Sequence, residues 1–147
     1  MFRPANILVA TDFSKESDRA VSAAFDIAGK YKSKIDLLYI LDDVIECTAD
    51  YCIPPENVEA TRTRMLKEAK KQMKEQLTRF PKHPKVSIKE TVRFGNHFDE
   101  ILNEVKNRKI DLLVAAPHEE HKAWHMFSHL TEKLGEKNGC ETLLVRH

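Results

Sequence analysis

Short apolar runs alternate along this chain with longer segments whose apolar residues return every three or four positions. NILVAT, residues 6–11, has β-branched character, is bounded by Pro4 and Asp12, and predicts a fully buried first strand. The period then changes: Ala20, Val21, Ala24, Ile27 and Ala28 share one helical face, with Gly29 as terminator and Ser14 or Asp12 able to cap the entry. KIDLLYIL, residues 34–41, predicts the second strand. A loop with Pro54 and Pro55 follows, and Pro55 suits the first turn of a long helix. There Val58, Met65, Leu66, Ala69, Met73, Leu77 and Phe80 recur at helical steps until Pro81 stops them.

VSIKETV, residues 86–92, predicts a third strand whose alternation points to a partly exposed edge. Gly95 marks a turn, and Phe98, Ile101, Leu102 and Val105 stripe a short third helix. IDLLVAA, residues 110–116, is almost continuously apolar, as a central parallel strand is. Leu130 and Leu134 outline a last helix ending near Gly135, and ETLLVR, residues 141–146, closes as a fifth strand. The β-α-β-α-β-α-β-α-β order predicts an α/β fold. Its form is an open doubly wound five-stranded parallel sheet with helices on both faces, and the order of the strands lies outside this pattern.

Length adds that residues 1–147 suit a single domain with one hydrophobic core. Charge is nearly balanced, 24 basic against 23 acidic side chains, so long-range attraction to nucleic acid is weak and no nucleic-acid partner is expected. The basic stretch RTRMLKEAKKQMK reads as the solvated face of the long helix. Cys47, Cys52 and Cys140 make neither a paired framework nor a four-ligand zinc site, and Cys140 reads as a buried small hydrophobe at a strand start. No secretory signal and no apolar run of about 20 residues is visible, so the expectation is a cytoplasmic protein with no membrane partner.

A doubly wound sheet holds ligands beyond the carboxyl ends of its strands. Four loops compete for that role: TDFS, LDDV, RFGN and APHEEH. Asp12 could hold a ribose hydroxyl or an adenine N–H, or equally accept the N–H groups of the helix entry. Asp42 and Asp43 are consecutive, so they diverge and read as solvated carboxylates. Neither a Walker GxxxxGK[ST] nor a GxGxxG follows the first strand, and with four glycines the chain is poor in the residue that lets backbone approach an anion. No GxSxG elbow exposes a serine nucleophile, so no catalytic residue is assigned. His118, His121, His125 and His129 are the remaining cluster. They could share a metal with Glu119 or Glu120, hold a small anion near a helix start, or serve as surface, cap or interface groups; HExxH is absent.

The stretch NILVATDFSKESDRAVSAAFDIAGKYKSKIDLLYIL, the RFGN turn before FDEIL, and IDLLVAAPHEEH with a terminal CETLLVRH together resemble the universal stress protein family over essentially the whole chain. The resemblance implies the strand order 3-2-1-4-5 and a homodimer through the last strand, residues 141–146. It also implies a role in stress tolerance, with ATP bound by many members. The nucleotide-binding branch carries G-x2-G-x9-G-[ST] after the fourth strand. Setting His118 on the histidine that often precedes it puts Glu119 and Lys122 where glycines stand, with Ser128 near the last glycine. The stretch is more similar to the non-ATP-binding branch typified by bacterial universal stress protein A. Asp12 matches the family's adenosine-contacting aspartate, and Ile40 or Leu41 lies near its adenine-contacting strand end. The expectation is a dimeric stress-response module that acts by interaction, with no cofactor and with unidentified protein partners. The alternative is an ATP-binding sensor or weak ATPase using magnesium, Asp12, Ile40, Leu41, His118 and Ser128. A metal module on His118, His121 and His125 is the third reading.

Overall fold

The computed structural model describes residues 2–42, 55–83, 85–116, 129–134 and 139–146. The apolar runs form the strands β1 (Asn6–Ala10), β2 (Lys34–Leu41), β3 (Ser87–Phe94), β4 (Leu112–Ala115) and β5 (Glu141–Leu144). They pair in parallel in the order β3-β2-β1-β4-β5. In register, Ile7 of β1 stands beside Ile35 of β2 and Leu112 of β4, so the apolar rows run straight across the centre of the sheet.

Side chains alternate between the two faces of a strand, and each face has its own helical cover. On one face Ile7, Val9, Ile35, Leu37, Leu112 and Val114 pack against α1 (Lys15–Tyr31) and α2 (Pro55–Thr78). On the other, Leu8, Leu38, Ile40 and Leu113 meet Ile101 and Val105 of α3 (His97–Asn107), with Leu130 and Leu134 from the helical residues 129–134. Parallel strands buried on both faces need no polar alternation, which is why β1 and β4 read as unbroken apolar runs.

α1 lies close to the sheet because its contact face is alanine: Ala20, Ala24 and Ala28 are fully buried at four-residue steps. Ser14 caps its start, its Oγ accepting the Ser17 N–H at 3.1 Å. The helix does not stop at Gly29 as the sequence suggests. It runs to Tyr31, and Lys32 takes the left-handed conformation (φ 58°) that closes it. Gly29 has another reason to be small, since a Cβ there would stand 3.0 Å from His83 Nε2. α2 likewise ends before Pro81, at Thr78, and tight turns from Gln76 to Arg79 and from Leu77 to Phe80 complete the exit.

Two strands border the sheet. β3 is half-exposed along its length, the edge that its alternation predicts, and β5 is the other edge. Among the described residues no helix is long and apolar enough to cross a membrane.

Candidate functional site

β1 ends at Ala10, and the next four residues make the turn into α1 at the carboxyl end of the sheet. Thr11 continues the ladder by donating its N–H to the Leu38 carbonyl at 2.9 Å. Its hydroxyl donates to Oε1 of the fully buried Gln76 on α2 at 2.8 Å, and the Phe13 N–H donates back to Thr11 Oγ1 at 3.1 Å. Gln76 Nε2 in turn donates to Asp18 Oδ1 at 2.8 Å and Ser17 Oγ at 3.2 Å. A long-range clamp therefore holds the turn from beneath. Phe13 is forced to a positive φ of 66°, a region costly for any side chain but glycine, and its ring packs on Tyr39 with centroids 4.4 Å apart.

Asp12 sits at the top of this turn, exposed. Its Oδ1 accepts the Ser14 N–H at 3.0 Å and also the Ser14 hydroxyl. Of the two roles open to Asp12, the structure shows it bracing the entry of α1. Its charge still reaches the neighbouring space. Burial first, and then the negative charges of Asp12 and Asp42, push the Tyr39 phenol above its ordinary pKa. Two carboxylates from the ends of β1 and β2 thus look onto one phenol.

Ile40 and Leu41 part company. Ile40 is 5% exposed and belongs to the core under α3, whereas Leu41 turns to the opposite face and lines a cavity of about 370 Å3. Tyr39 shares that wall, and Arg64, Met65, Glu68, Ala69 and Gln72 of α2 close the other side. The structure therefore brings Leu41 and Tyr39 together near Asp12, and places Ile40 beneath the sheet. The β3–α3 turn completes this end: Gly95 donates its N–H to the Leu41 carbonyl at 2.9 Å. A Cβ on Gly95 would lie 2.8 Å from Glu100 Oε1, at φ 145°, so glycine is required.

His118 and Ser128, with His121, His125, Trp124 and Phe127, lie outside the described residues, as do Asp43, Cys47 and Cys52. His129 is exposed at the start of the helical residues 129–134. Among the described residues no three His, Cys, Asp or Glu side chains gather as a metal site. Cys140 is 2% exposed and its thiol is pushed up to about 11, chiefly by burial, so it packs as a hydrophobe.

Three side chains escape the sequence reading. Gln76 follows Met73 by three positions and so falls on the buried stripe of α2, a polar side chain in an apolar phase. Asp36 interrupts the apolar run of β2, and Glu104 follows Ile101 by three positions on α3; both are buried, at 6% and 1% exposure. In each case the signal is a polar residue in phase with the core.

The sequence profile of the universal stress protein family matches residues 4–146. Solved structures share the fold along almost the whole chain. The universal stress protein UspA from Lactobacillus plantarum is 19% identical with a TM-score of 0.67, covering 99% of this chain and 100% of its own. The hypothetical protein MJ0577 is 18% identical with a TM-score of 0.73, the coverage being 99% and 98%. A universal stress protein in complex with cAMP is 20% identical with a TM-score of 0.58 and the same coverage, 99% and 98%. No curated protein matches the sequence. With a family profile spanning nearly every residue and a sheet in the order β3-β2-β1-β4-β5, this chain belongs to the universal stress protein family.

Proposed function

We propose that the chain is a stress-response protein that works as a homodimer, through interaction with unidentified protein partners and without turnover. The observation that carries this reading is the border strand β5, which has no further strand beside it among the described residues. Leu143, in the middle of that strand, is 38% exposed, one of two large hydrophobic side chains so exposed among the described residues. The N–H groups of Glu141 and of Val145, the residue after β5, point inward to the Asp111 and Ala115 carbonyls, so by strand alternation those of Thr142 and Leu144 point outward. An edge that presents Leu143 and, among the described residues, leaves these two donors without a strand partner invites a second strand, and a copy of the same edge across a two-fold axis supplies it.

Sedimentation velocity tests this. The wild type is expected to run as a dimer at micromolar concentration. Leu143→Glu, which sets two carboxylates into that edge, is expected to weaken assembly by about 100-fold. A monomeric wild type, or a variant with unchanged dimer mass, contradicts the reading.

Asp12 and the Leu41-lined cavity favour a second reading, an adenine-nucleotide sensor. Carboxylates beside an aromatic pair can accept ribose or adenine donors, and one relative of the same fold is described in complex with cAMP. The phosphate side is poorer in this chain, where Glu119 and Lys122 stand in the stretch after β4. Affinity on this reading comes from the base and ribose, so calorimetry on nucleotide-stripped protein should give similar constants for cAMP and magnesium-ATP. Asp12→Asn should weaken both. No heat with millimolar nucleotide removes this reading and leaves the first.

A further inference from the structure

At the amino end of the sheet, remote from Asp12, a cavity of about 450 Å3 opens beside β1, β2 and β3 and is bordered by the α3–β4 turn. Four cationic side chains line it, Lys34, Lys89, Arg108 and Lys109, against one carboxyl, Asp36. The chain as a whole is balanced, 24 bases to 23 acids, so four to one around a single space is a marked concentration. The C-terminus of α3 contributes roughly half a negative charge there, too little to cancel it.

Asp36 does not cancel it either. Its Oδ2 and the Glu104 Oε2 lie 3.8 and 3.9 Å from Arg108 Nε, and neither oxygen has a hydrogen-bond partner other than the proton the two carboxyls can share. Burial, and then Glu104, push the Asp36 carboxyl up to about 7. Arg93 Nη2 and Nε hold Glu104 Oε1 at 2.8 and 3.1 Å, so the pair with one proton is already neutralised. Arg108 is left over. Its two ion pairs are too long for hydrogen bonds, its side chain is 35% exposed, and its guanidinium fork donates to nothing among the described residues.

We propose that this cavity is a binding site for a small phosphomonoester, anchored by Arg108 and surrounded by Lys34, Lys89 and Lys109. The guanidinium fork matches two phosphate oxygens, and several cations around one space suit a dianion better than a monoanion. The volume lies within the roughly 300–1,000 Å3 of small-molecule sites. Once Asp36 loses its proton, the pair carries a second charge that competes with the ligand for the Arg108 guanidinium and opposes binding.

Titration of the intact chain with ribose 5-phosphate, inorganic phosphate and ribose, followed by calorimetry and amide chemical shifts, tests the site. Ribose 5-phosphate is expected to bind with a Kd below about 1 mM at low salt, with shifts at β2 and the α3–β4 turn, several-fold tighter than inorganic phosphate, and ribose not at all. Arg108→Gln should weaken it at least 10-fold, Lys89→Gln less, and Asp12→Asn should leave it unchanged. At pH 8, where Asp36 has lost its proton, Asp36→Asn removes a competing charge and should tighten it several-fold. Equal affinity for inorganic phosphate, shifts confined to the carboxyl end, or insensitivity to Arg108→Gln overturns the proposal. So does weakened or unchanged binding in Asp36→Asn at pH 8.

Discussion

Asp36 stands where an isoleucine or valine would extend the apolar run of β2, and its burial sets a pH dependence for the whole fold. Its Oδ1 accepts the Thr91 hydroxyl at 2.8 Å, while its other oxygen faces Glu104 and Arg108. Burial, with Glu104 beside it, raises its pKa from 3.8 to about 7. Burial also acts to raise Glu104, but the contacts with Asp36 and Arg93 and the charges of Arg93 and Arg108 outweigh it and lower that pKa. Between about pH 4.5 and 7 the folded chain therefore holds a proton on Asp36 that the unfolded chain has released. The stabilisation is complete below the unfolded pKa and is lost as pH rises through about 7, an effect on the order of a few kcal/mol. The contribution of Glu104 has the opposite sign and is lost as pH falls below its ordinary range. Urea unfolding should accordingly give a midpoint that falls from pH 5 to pH 8, and Asp36→Asn should flatten that slope. A wild type equally stable at both pH values contradicts the shared-proton account.

At this scale the sequence was legible where chemistry is local. Ser14 and Asp12, two positions apart, cap and brace α1 as a turn before a helix requires. Gln76, Glu104 and Asp36 were not legible, because their partners come from other elements: Gln76 lies 65 positions from Thr11, and Asp36 55 from Thr91. Ile40 and Leu41 could not be separated by position along the chain. The strand's two-residue period splits them, and which face carries the cavity is decided by the packing of α2.

Among the described elements β1 to β5 and α1 to α3, type and order were readable and ends were not, while the expected end of the last helix at Gly135 lies outside the described residues. α1 overruns Gly29 by two residues and α2 stops three short of Pro81, because a helix end is set by what its last carbonyls can find. Lys32 shows this: its N–H closes onto the Ala28 carbonyl, and the conformation is one glycine takes at no steric cost. Lys32→Gly should raise stability by about 0.5–1 kcal/mol, read from the urea midpoint with m unchanged. A loss of stability would mean that the Lys32 side chain contributes more than its backbone costs. β3 shows the opposite case. Its alternating sequence predicts an edge, and it is one, with Lys89, Glu90 and Arg93 exposed and Ile88, Val92 and Phe94 half-buried.

For the whole molecule, the two borders of the sheet differ in kind. β3 carries Lys89 and Glu90, charged residues of the sort that discourage pairing, whereas the ETLL of β5 presents Leu143. Assembly through β5 leaves both cavities, beside Leu41 and beside Arg108, away from that edge. The strand order was readable only through resemblance to a family, since β-α repetition is compatible with several orders. Hydrogen exchange at the Thr142 and Leu144 amides tests the proposed dimer most directly, because these two donors face away from β4. The account predicts slow exchange at micromolar concentration that accelerates on dilution and in Leu143→Glu. Fast exchange at both amides at every concentration, beside a protected Leu143, would contradict it.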